Sequence, residues 1–349
     1  MRIQAATPTL HGRTPIVVYG ATGHTGQFVC GELQRRGLPF ALAGRNTEKL
    51  QLLAAQFGVL DVRTASVDDG RSLVRALEGA HAVINCAGPF LDTAAPLVEA
   101  AMEAGVHYLD VTAEQASAQA TLQTFSKTAE ERGLIVLPAA AFYGGLADLL
   151  ATAAAGDWPS VDLVEVAIAL DSWHPTSGTR TTGKRNTAAR LMIAHGELVP
   201  VVQPAPQRSW RFAGPFGDQA VVELPFTETI ALSRHLQVTE AHTYLNLLPL
   251  AELRDPNTAA PVVDTSLGRS MQTFRVEVAA HRNGTTRLAA ASGHDIYAVS
   301  APIIVEAAAR LQAPRAGRGG AFALGELFDA RSFLGVLTPE HLLVELGEK

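Results

Sequence analysis

Between residues 15 and 139 the chain alternates short apolar, β-branched runs with longer amphipathic segments. "PIVVYG" (15–20) has the length and composition of a central parallel strand, buried on both faces. "TGQFVCGELQRRG" (25–37) follows, with Phe28, Val29 and Leu33 on one helical face and Gly37 as a C-terminal cap. The alternation then repeats. "FALAG" predicts a strand and "NTEKLQLLAAQFG" a helix, N-capped by Asn46 or Thr47, with Glu48 in its first turn. "VRTASV" and "GRSLVRALEGA" form the next pair, and "AVINCAG" and "TAAPLVEAAMEAG" the one after. "HYLDV", a helix over 115–132 and "LIVLPA" complete the series. Such a series predicts an α/β fold, a Rossmann-type doubly wound parallel sheet.

Beyond residue 143 the period changes. "VDLVEVAIAL" (161–170), "QAVVELPF" (219–226), "RHLQVTEA" (234–241), "QTFRVEVAAHR" (272–282) and "TRLAAASGHD" (286–295) alternate apolar and polar residues. Half-buried strands of a mainly antiparallel sheet show this pattern, so a second α+β domain is expected over 143–305. Such a sheet needs cover on its other face, and a homodimer is one way to supply it. "AAAFYGGLADLL" (139–150) reads as the crossover, with Gly144 and Gly145 as a hinge opening a helix whose N-terminus faces the cleft. Residues 1–14 read as a flexible tail and 15–142 as the first domain. Residues 306–349 read as C-terminal helices packing back on the body, with helical spacing at Leu327, Phe328 and Leu334.

Gly20, Gly23 and Gly26 lie between the first strand and the first helix, in "VVYGATGHTGQFV". That context supplies the chemistry. Gly20 lets the chain turn sharply, Gly23 lets backbone approach a pyrophosphate, and Gly26 lets helix and strand pack closely, while the helix N-terminus faces the anion. Thr22, His24 and Thr25 complete a dinucleotide-binding turn. The end of the second strand bears on which dinucleotide. A carboxylate there would accept hydrogen bonds from a ribose 2′-hydroxyl, but "LAGRNTEKL" has Gly44, Arg45 and Asn46 instead. An arginine fork pairs with a 2′-phosphate and stacks on adenine, so NADP(H) is the expected cofactor. The alternative is that Arg45 is a solvated loop cation. Asp68, after the third strand, is placed to touch the adenine edge or to cap the next helix.

Composition narrows the function classes. A chain of 349 residues with 47% hydrophobic and 18% charged residues has ample material for two domain cores. A net charge of −6, with no basic run of five or more, argues against a nucleic-acid partner. The most apolar stretch, 134–156, is interrupted by Pro138, Gly144, Gly145 and Asp148, and reads as a buried strand and helix, not a membrane span. The first fourteen residues have no apolar h-region. Cys30 and Cys86 are the two cysteines, which excludes a disulfide framework and fits a reducing cytoplasm. No metal site is expected, because the eleven histidines form no HExxH pattern.

"YGATGHTGQ", "LAGRN", "VINCAGPF" and "PLVEAAMEAGVHYLDVTAE" together resemble the NADP-binding domain of saccharopine dehydrogenase-like oxidoreductases. The similarity covers about 15–148 and returns weakly at "SGHDIYAVSAPIIVEAAARL" and "GELFDARSFLGVL". The resemblance implies a second domain with a mainly antiparallel sheet, an interdomain cleft and often dimers. Relatives include saccharopine reductases and trans-acting enoyl reductases. A GATGxxG turn also opens short-chain dehydrogenases, which need Tyr-x-x-x-Lys. Position +4 from the five tyrosines is Gly23, Thr112, Ala147, Leu248 and Ala301, so that chemistry is excluded.

In a doubly wound sheet the reacting ring lies beyond the C-terminal strand ends. Cys86, Ala87 and Gly88 are expected near the nicotinamide ribose, with Gly88 and Pro89 running along the cofactor. Cys86 has no visible cation to make it a nucleophile, and small strand-end packing explains it. Asp110, on the same strand face as Tyr108, could orient the cofactor, carry a proton, or cap the helix near Glu114. Tyr143, beside the hinge, is a candidate proton donor. In "HPTSGTRTTGKRNTAARLM" (174–192), Arg180, Lys184 and Arg185 either clamp a substrate carboxylate or solvate a loop. The expected function is an NADPH-dependent reductase delivering hydride to a C=N or C=O carbon of a small polar substrate, with amino-acid-derived compounds among the candidates. An enoyl reductase acting on a thioester-linked chain and a non-catalytic NADP(H) sensor are the alternatives.

Overall fold

The computed structural model describes residues 14–264, 268–313 and 318–347, so nearly all of the tail expected over 1–14 lies outside the described residues. The first domain is the series β1 (Ile16–Tyr19), α1 (His24–Arg35), β2 (Phe40–Gly44), α2 (Thr47–Phe57), β3 (Val62–Thr64), α3 (Gly70–Leu77), β4 (Ala82–Asn85), α4 (Phe90–Ala104), β5 (His107–Asp110), α5 (Gln115–Arg132) and β6 (Ile135–Leu137). Local chemistry sets the ends. The Asn46 side chain caps α2 by accepting from the Lys49 amide, and Asp69 caps α3 through the Ser72 amide. Gly58, Gly105 and Gly133 close α2, α4 and α5 in the left-handed conformation.

A π-helical turn at Phe142–Leu146 leads into α6 (Ala147–Ala155). Then come β7 (Val161–Leu170), α7 (Ser177–Arg185), β8 (Leu191–Ala194), β9 (Glu197–Pro200), β10 (Gln207–Arg211) and β11 (Asp218–Glu223). The series continues through α8 (Thr227–His235), β12 (Val238–Asn246), α9 (Leu247–Arg254), β13 (Thr273–Arg282), β14 (Thr285–His294) and α10 (Ser300–Leu311). The chain ends with β15 (Gly320–Ala321), α11 (Leu324–Leu327), α12 (Ala330–Leu337) and β16 (Leu343–Leu346).

The first sheet is parallel, in the order β15-β6-β5-β4-β1-β2-β3. The second runs β10-β11-β12-β7-β13-β14-β16, with β8 on β12 and β9 on β8. It is antiparallel except where β12 and β7 pair in parallel. Two features depart from the sequence reading. "RHLQVTEA" is not one strand: Arg234 and His235 finish α8, held there by the Ala321 carbonyl and the Asp148 carboxylate, and β12 begins at Val238. The C-terminal region also supplies a strand to each sheet, β15 beside β6 and β16 beside β14, besides its helices.

One face of the first sheet packs on α3, α4 and α5 through residues such as Leu73, Leu97 and Leu122. On the other face a single apolar core runs from Val18 and Leu33 through Leu150, Ile303 and Phe333 to Val166 and Val278. The two sheets therefore share one core through α6, α10 and α12. The other face of the second sheet combines ion pairs, Arg208 with Glu165 at 2.7 Å and Arg275 with Glu277 at 2.6 Å and Glu345 at 2.8 Å, with a small apolar cluster of Ala167, Ala169, Phe212, Val221 and Tyr244.

Candidate active site

β1 and β4 are neighbours whose following helices lie on opposite faces of the sheet, and this switch point is where such sheets take ligands. The glycine turn sits over it. Gly20 has φ +79°, and a Cβ there would lie 2.9 Å from both Ala87 Cβ and Ala87 N, so the turn is seated on the β4 exit. A Cβ at Gly26 would fall on the Gly20 carbonyl oxygen and 2.9 Å from Ala21 Cα, which brings α1 down onto its strand. Gly23 is exposed and is the N-cap of α1, with no side-chain cap bond and no acidic residue in the first turn. The Gln27 side-chain amide donates to the Thr22 carbonyl at 3.2 Å, and Thr22 and Thr25 are half-buried beside it. An uncapped helix start with room for backbone approach fits a pyrophosphate.

His24 turns toward the second domain. Its ring meets Phe28 edge-on at 5.1 Å and Tyr297 at 5.2 Å, and burial pushes its pKa down against the opposing charge of Asp295. At the far end of the cleft, Arg45 is exposed and in no ion pair among the described residues. It follows Gly44, while Asn46 is engaged as the α2 cap. Asp68 is exposed and bonded to the Ser66 hydroxyl at 3.3 Å; the helix cap considered for it belongs to Asp69.

At the β4 and β5 exits the chain is more tightly built. Burial pushes the Cys86 thiol well above its ordinary pKa, which leaves it a packing group rather than a thiolate. Ala87 donates its amide to the buried Asn85 side chain at 3.0 Å, and Gly88 is exposed before Pro89. A Cβ on Gly88 would come 2.8 Å from Thr182 Oγ1, so α7 of the second domain lies over this turn. Arg185 ties the two sides together by pairing with Asp92 on α4 at 2.9 Å. The fully buried Glu114 accepts from the Phe90 and Leu91 amides at 2.8 and 3.1 Å and caps α4.

Three candidate catalytic residues have distinct fates. Asp110 is fully buried and neither faces the cleft nor caps α5. It accepts from the Tyr108 hydroxyl at 2.9 Å and from the Thr112 and Ala139 amides at 3.0 and 2.8 Å, bracing the β5 exit against the β6 exit. Burial pushes it up to about 6 despite these donors. Arg180 binds the carbonyls of Asp255 at 3.0 Å and Thr258 at 2.8 Å, finishing α9, because this turn offers acceptors close to its guanidinium. Tyr143 stacks between Phe226, at 4.2 Å and 25°, and Trp173, at 5.6 Å and 28°. Its buried hydroxyl has no hydrogen-bond partner among the described residues, and burial pushes its pKa well up.

Tyr143 belongs to a continuous aromatic wall. Tyr297 meets His24 and receives a hydrogen bond from Trp173 Nε1 at 3.2 Å, Trp173 stacks on Tyr143, and Tyr143 stacks on Phe226. The Arg190 guanidinium lies over Phe226 at 4.7 Å. Arg190 and the nearby Glu228 escaped the sequence reading. Arg190 stands at the end of the polar stretch already singled out, and Glu228 was visible as an acid inside the apolar-flanked "PFTETIAL".

The paired-domain arrangement, with a glycine turn at the switch point facing a second sheet, defines a two-domain protein of the dinucleotide-binding class. Within it, residues 16–137 match the family model described as the saccharopine dehydrogenase NADP binding domain. A lipid droplet localized protein of Caenorhabditis elegans is 37% identical over 149 residues, 39% of this chain and 35% of that protein. The saccharopine dehydrogenase-like oxidoreductase of Mus musculus is 30% identical over 155 residues, 38% of this chain and 35% of its own length. The chain thus matches about a third of the length of these relatives. The fold as a whole is similar to that of saccharopine dehydrogenase (L-Glu forming) from Saccharomyces cerevisiae, with a TM-score of 0.66 at 11% identity over 96% of this chain and 100% of that one. Among the described residues no helix is long and apolar enough to cross a membrane.

Proposed function

We propose that the protein is an NADP(H)-dependent oxidoreductase that transfers hydride to a C=N or C=O carbon of a small polar substrate. The observation carrying this reading is the uncapped glycine turn joined through His24 and Tyr297 to a wall that holds an unpartnered phenol and a half-buried arginine. NADPH, when bound, supplies the hydride. The amides opening α1 would hold its pyrophosphate, and Arg45 its 2′-phosphate. The α7 segment, held by Arg185 on Asp92, lies over the Gly88 turn. Tyr143 keeps its proton through neutral pH and can hold it at Oη for the reduced atom.

A compact wall bearing a cation favours a small polar substrate over a long thioester-linked chain. The proposal also takes in a cytoplasmic setting, on the two free cysteines, and a homodimer, for which Leu288 and Leu343, exposed on β14 and β16, offer an apolar surface. Fluorescence titration with NADPH and with NADH, then NADPH oxidation against imines, keto acids and enoyl thioesters, tests the proposal. Turnover of an imine or keto acid is expected. Turnover of enoyl thioesters alone would make the enoyl reductase reading correct, and differential binding of NADPH and NADP+ with no turnover would make the protein a sensor.

A further inference from the structure

The second domain holds a buried carboxyl group whose two oxygens are treated very differently. Glu228, in the first turn of α8, is fully buried. Its Oε1 accepts from the Thr243 hydroxyl at 2.6 Å, the Phe226 amide at 2.9 Å and the Thr229 hydroxyl at 3.3 Å. Its Oε2 has no partner among the described residues. An oxygen that takes three donors has no lone pair left for a proton, so neutral Glu228 presents its O–H at Oε2. Burial favours that neutral form and pushes the pKa up to about 7, against the pull of its donors and of Arg190.

Two more groups share this space. Tyr143 Oη is buried without a partner, and it acts electrostatically on both Glu228 and Arg190. Arg190 donates to the Pro225 carbonyl at 2.6 Å and forms no ion pair among the described residues, although Glu228 is near enough for their charges to interact. Arg190 and Tyr143 are the charged and titratable groups acting on Glu228, while Thr243 from β12 and Thr229 from α8 are neutral donors. A half-buried arginine with no carboxylate partner among the described residues, beside the orphaned Glu228 O–H, has the polarity of an anion site with its counter-group missing.

We propose that Glu228 in its neutral form gates a carboxylate subsite, in which Arg190 takes the anion and the Glu228 O–H at Oε2 donates to it, leaving the Tyr143 O–H for the reduced atom. This rests on the reading of the cleft as a hydride-transfer site, and it sets the substrate's charge: a small carboxylate whose reducible carbon lies elsewhere in the molecule. An ionised Glu228 would hold Arg190 for itself and repel a second carboxylate, so the carboxyl of Glu228 determines specificity without taking part in hydride transfer.

The test uses the intact protein saturated with NADPH and follows the emission of Trp173, which stacks on Tyr143, with Trp173→Phe as the blank. Acetate and succinate are titrated at pH 6 and pH 8, with acetamide and glycine for comparison and chloride holding the ionic strength constant. With Glu228 titrating near 7, carboxylate affinity is expected to fall about tenfold between the two pH values. Glu228→Gln, which keeps an acceptor at Oε1 and a donor at the other position, should bind acetate equally at both. Arg190→Met should lose at least tenfold at both. Acetamide binding as well as acetate, glycine binding better than acetate, or an undiminished pH dependence in Glu228→Gln would each overturn the proposal. NADPH affinity is measured on every variant. Failure of the wild-type protein to bind NADPH would sink the reading of the cleft, whereas normal NADPH binding without carboxylate binding would sink only the subsite.

Discussion

Replacing Gly26 by alanine tests how the first helix is seated. A Cβ at this buried position would fall on the Gly20 carbonyl oxygen, 2.9 Å from Ala21 Cα and 3.0 Å from Ala21 O. All three are backbone atoms, so no side chain can rotate away, and relief requires lifting the first turn of α1 off its strand. Overpacking a buried site costs about 1–3 kcal/mol, and a clash with backbone belongs at the upper end, about 3 kcal/mol. At about 2–4 °C per kcal/mol for a chain of this size class, the melting temperature should fall by about 6–12 °C. The same lift moves the uncapped amides of α1. Losing one charge-assisted hydrogen bond, worth about 1.5–3 kcal/mol, should weaken NADPH at least about tenfold. Gly58→Ala is the control: its φ is +64°, but nothing lies within 4 Å of the added Cβ. It should cost only the left-handed penalty, about 1–2 kcal/mol, with NADPH affinity unchanged. Thermal unfolding and fluorescence titration of both variants decide the matter. If Gly26→Ala melted within about 2 °C of the wild type and bound NADPH normally, the described seating of α1 on the turn would be wrong.

Arg45→Ala should weaken NADPH tenfold or more and leave NADH unchanged, and equal losses in paired titrations would remove Arg45 from the 2′-phosphate site. Asp110→Asn should destabilise the fold by about 1–3 kcal/mol, because the replaced oxygen was an acceptor for a buried group. Native Asp110 keeps its proton to about pH 6, whereas the unfolded chain releases it near pH 4. The native state therefore binds more protons in that window, and the Asp110 contribution to stability falls as pH climbs through it. Melting curves at pH 4.5 and 6.5 should show Asp110→Asn without that contribution; an unchanged difference would refute it. Arg180→Ala should lower the melting temperature by a few degrees through the freed carbonyls after α9, with NADPH and acetate binding intact. Loss of acetate binding would return Arg180 to the substrate site.

The first sheet was readable because each of its units is local. A short β-rich run, a turn and a helix with its caps are all specified within about twenty residues; the tertiary partners of the glycine turn are backbone, the Ala43 carbonyl of β2 that takes the Gly20 and Ala21 amides, and the Ala87 it rests on. The alternation of β7 was equally local, and the strand runs over Val161–Leu170 as its pattern implied. Where a tertiary partner outweighs local pattern, the reading failed. Arg234 and His235 alternate like a strand, yet Asp148 and the Ala321 carbonyl hold them at the end of a helix.

The roles of the polar residues were decided at a further remove. Arg180 and Arg190 occupy one polar stretch of sequence and look interchangeable there. The carbonyls after α9 take the first, while Phe226 and Glu228, from the start of α8, leave the second inside the cleft. Asp110, at a strand end, read equally as a cofactor-orienting group, a proton carrier or a helix cap, and the Ala139 and Thr112 amides hold its carboxyl inward. The sequence by itself therefore determined the sheet, the turn and the class of cofactor, because hydrophobic period and backbone freedom act over a few residues. The tertiary structure alone decided which cation and which acid meet in the cleft. A side chain's charge, partner and exposure depend on groups brought together from residues 143, 190, 228 and 243, which no local pattern relates.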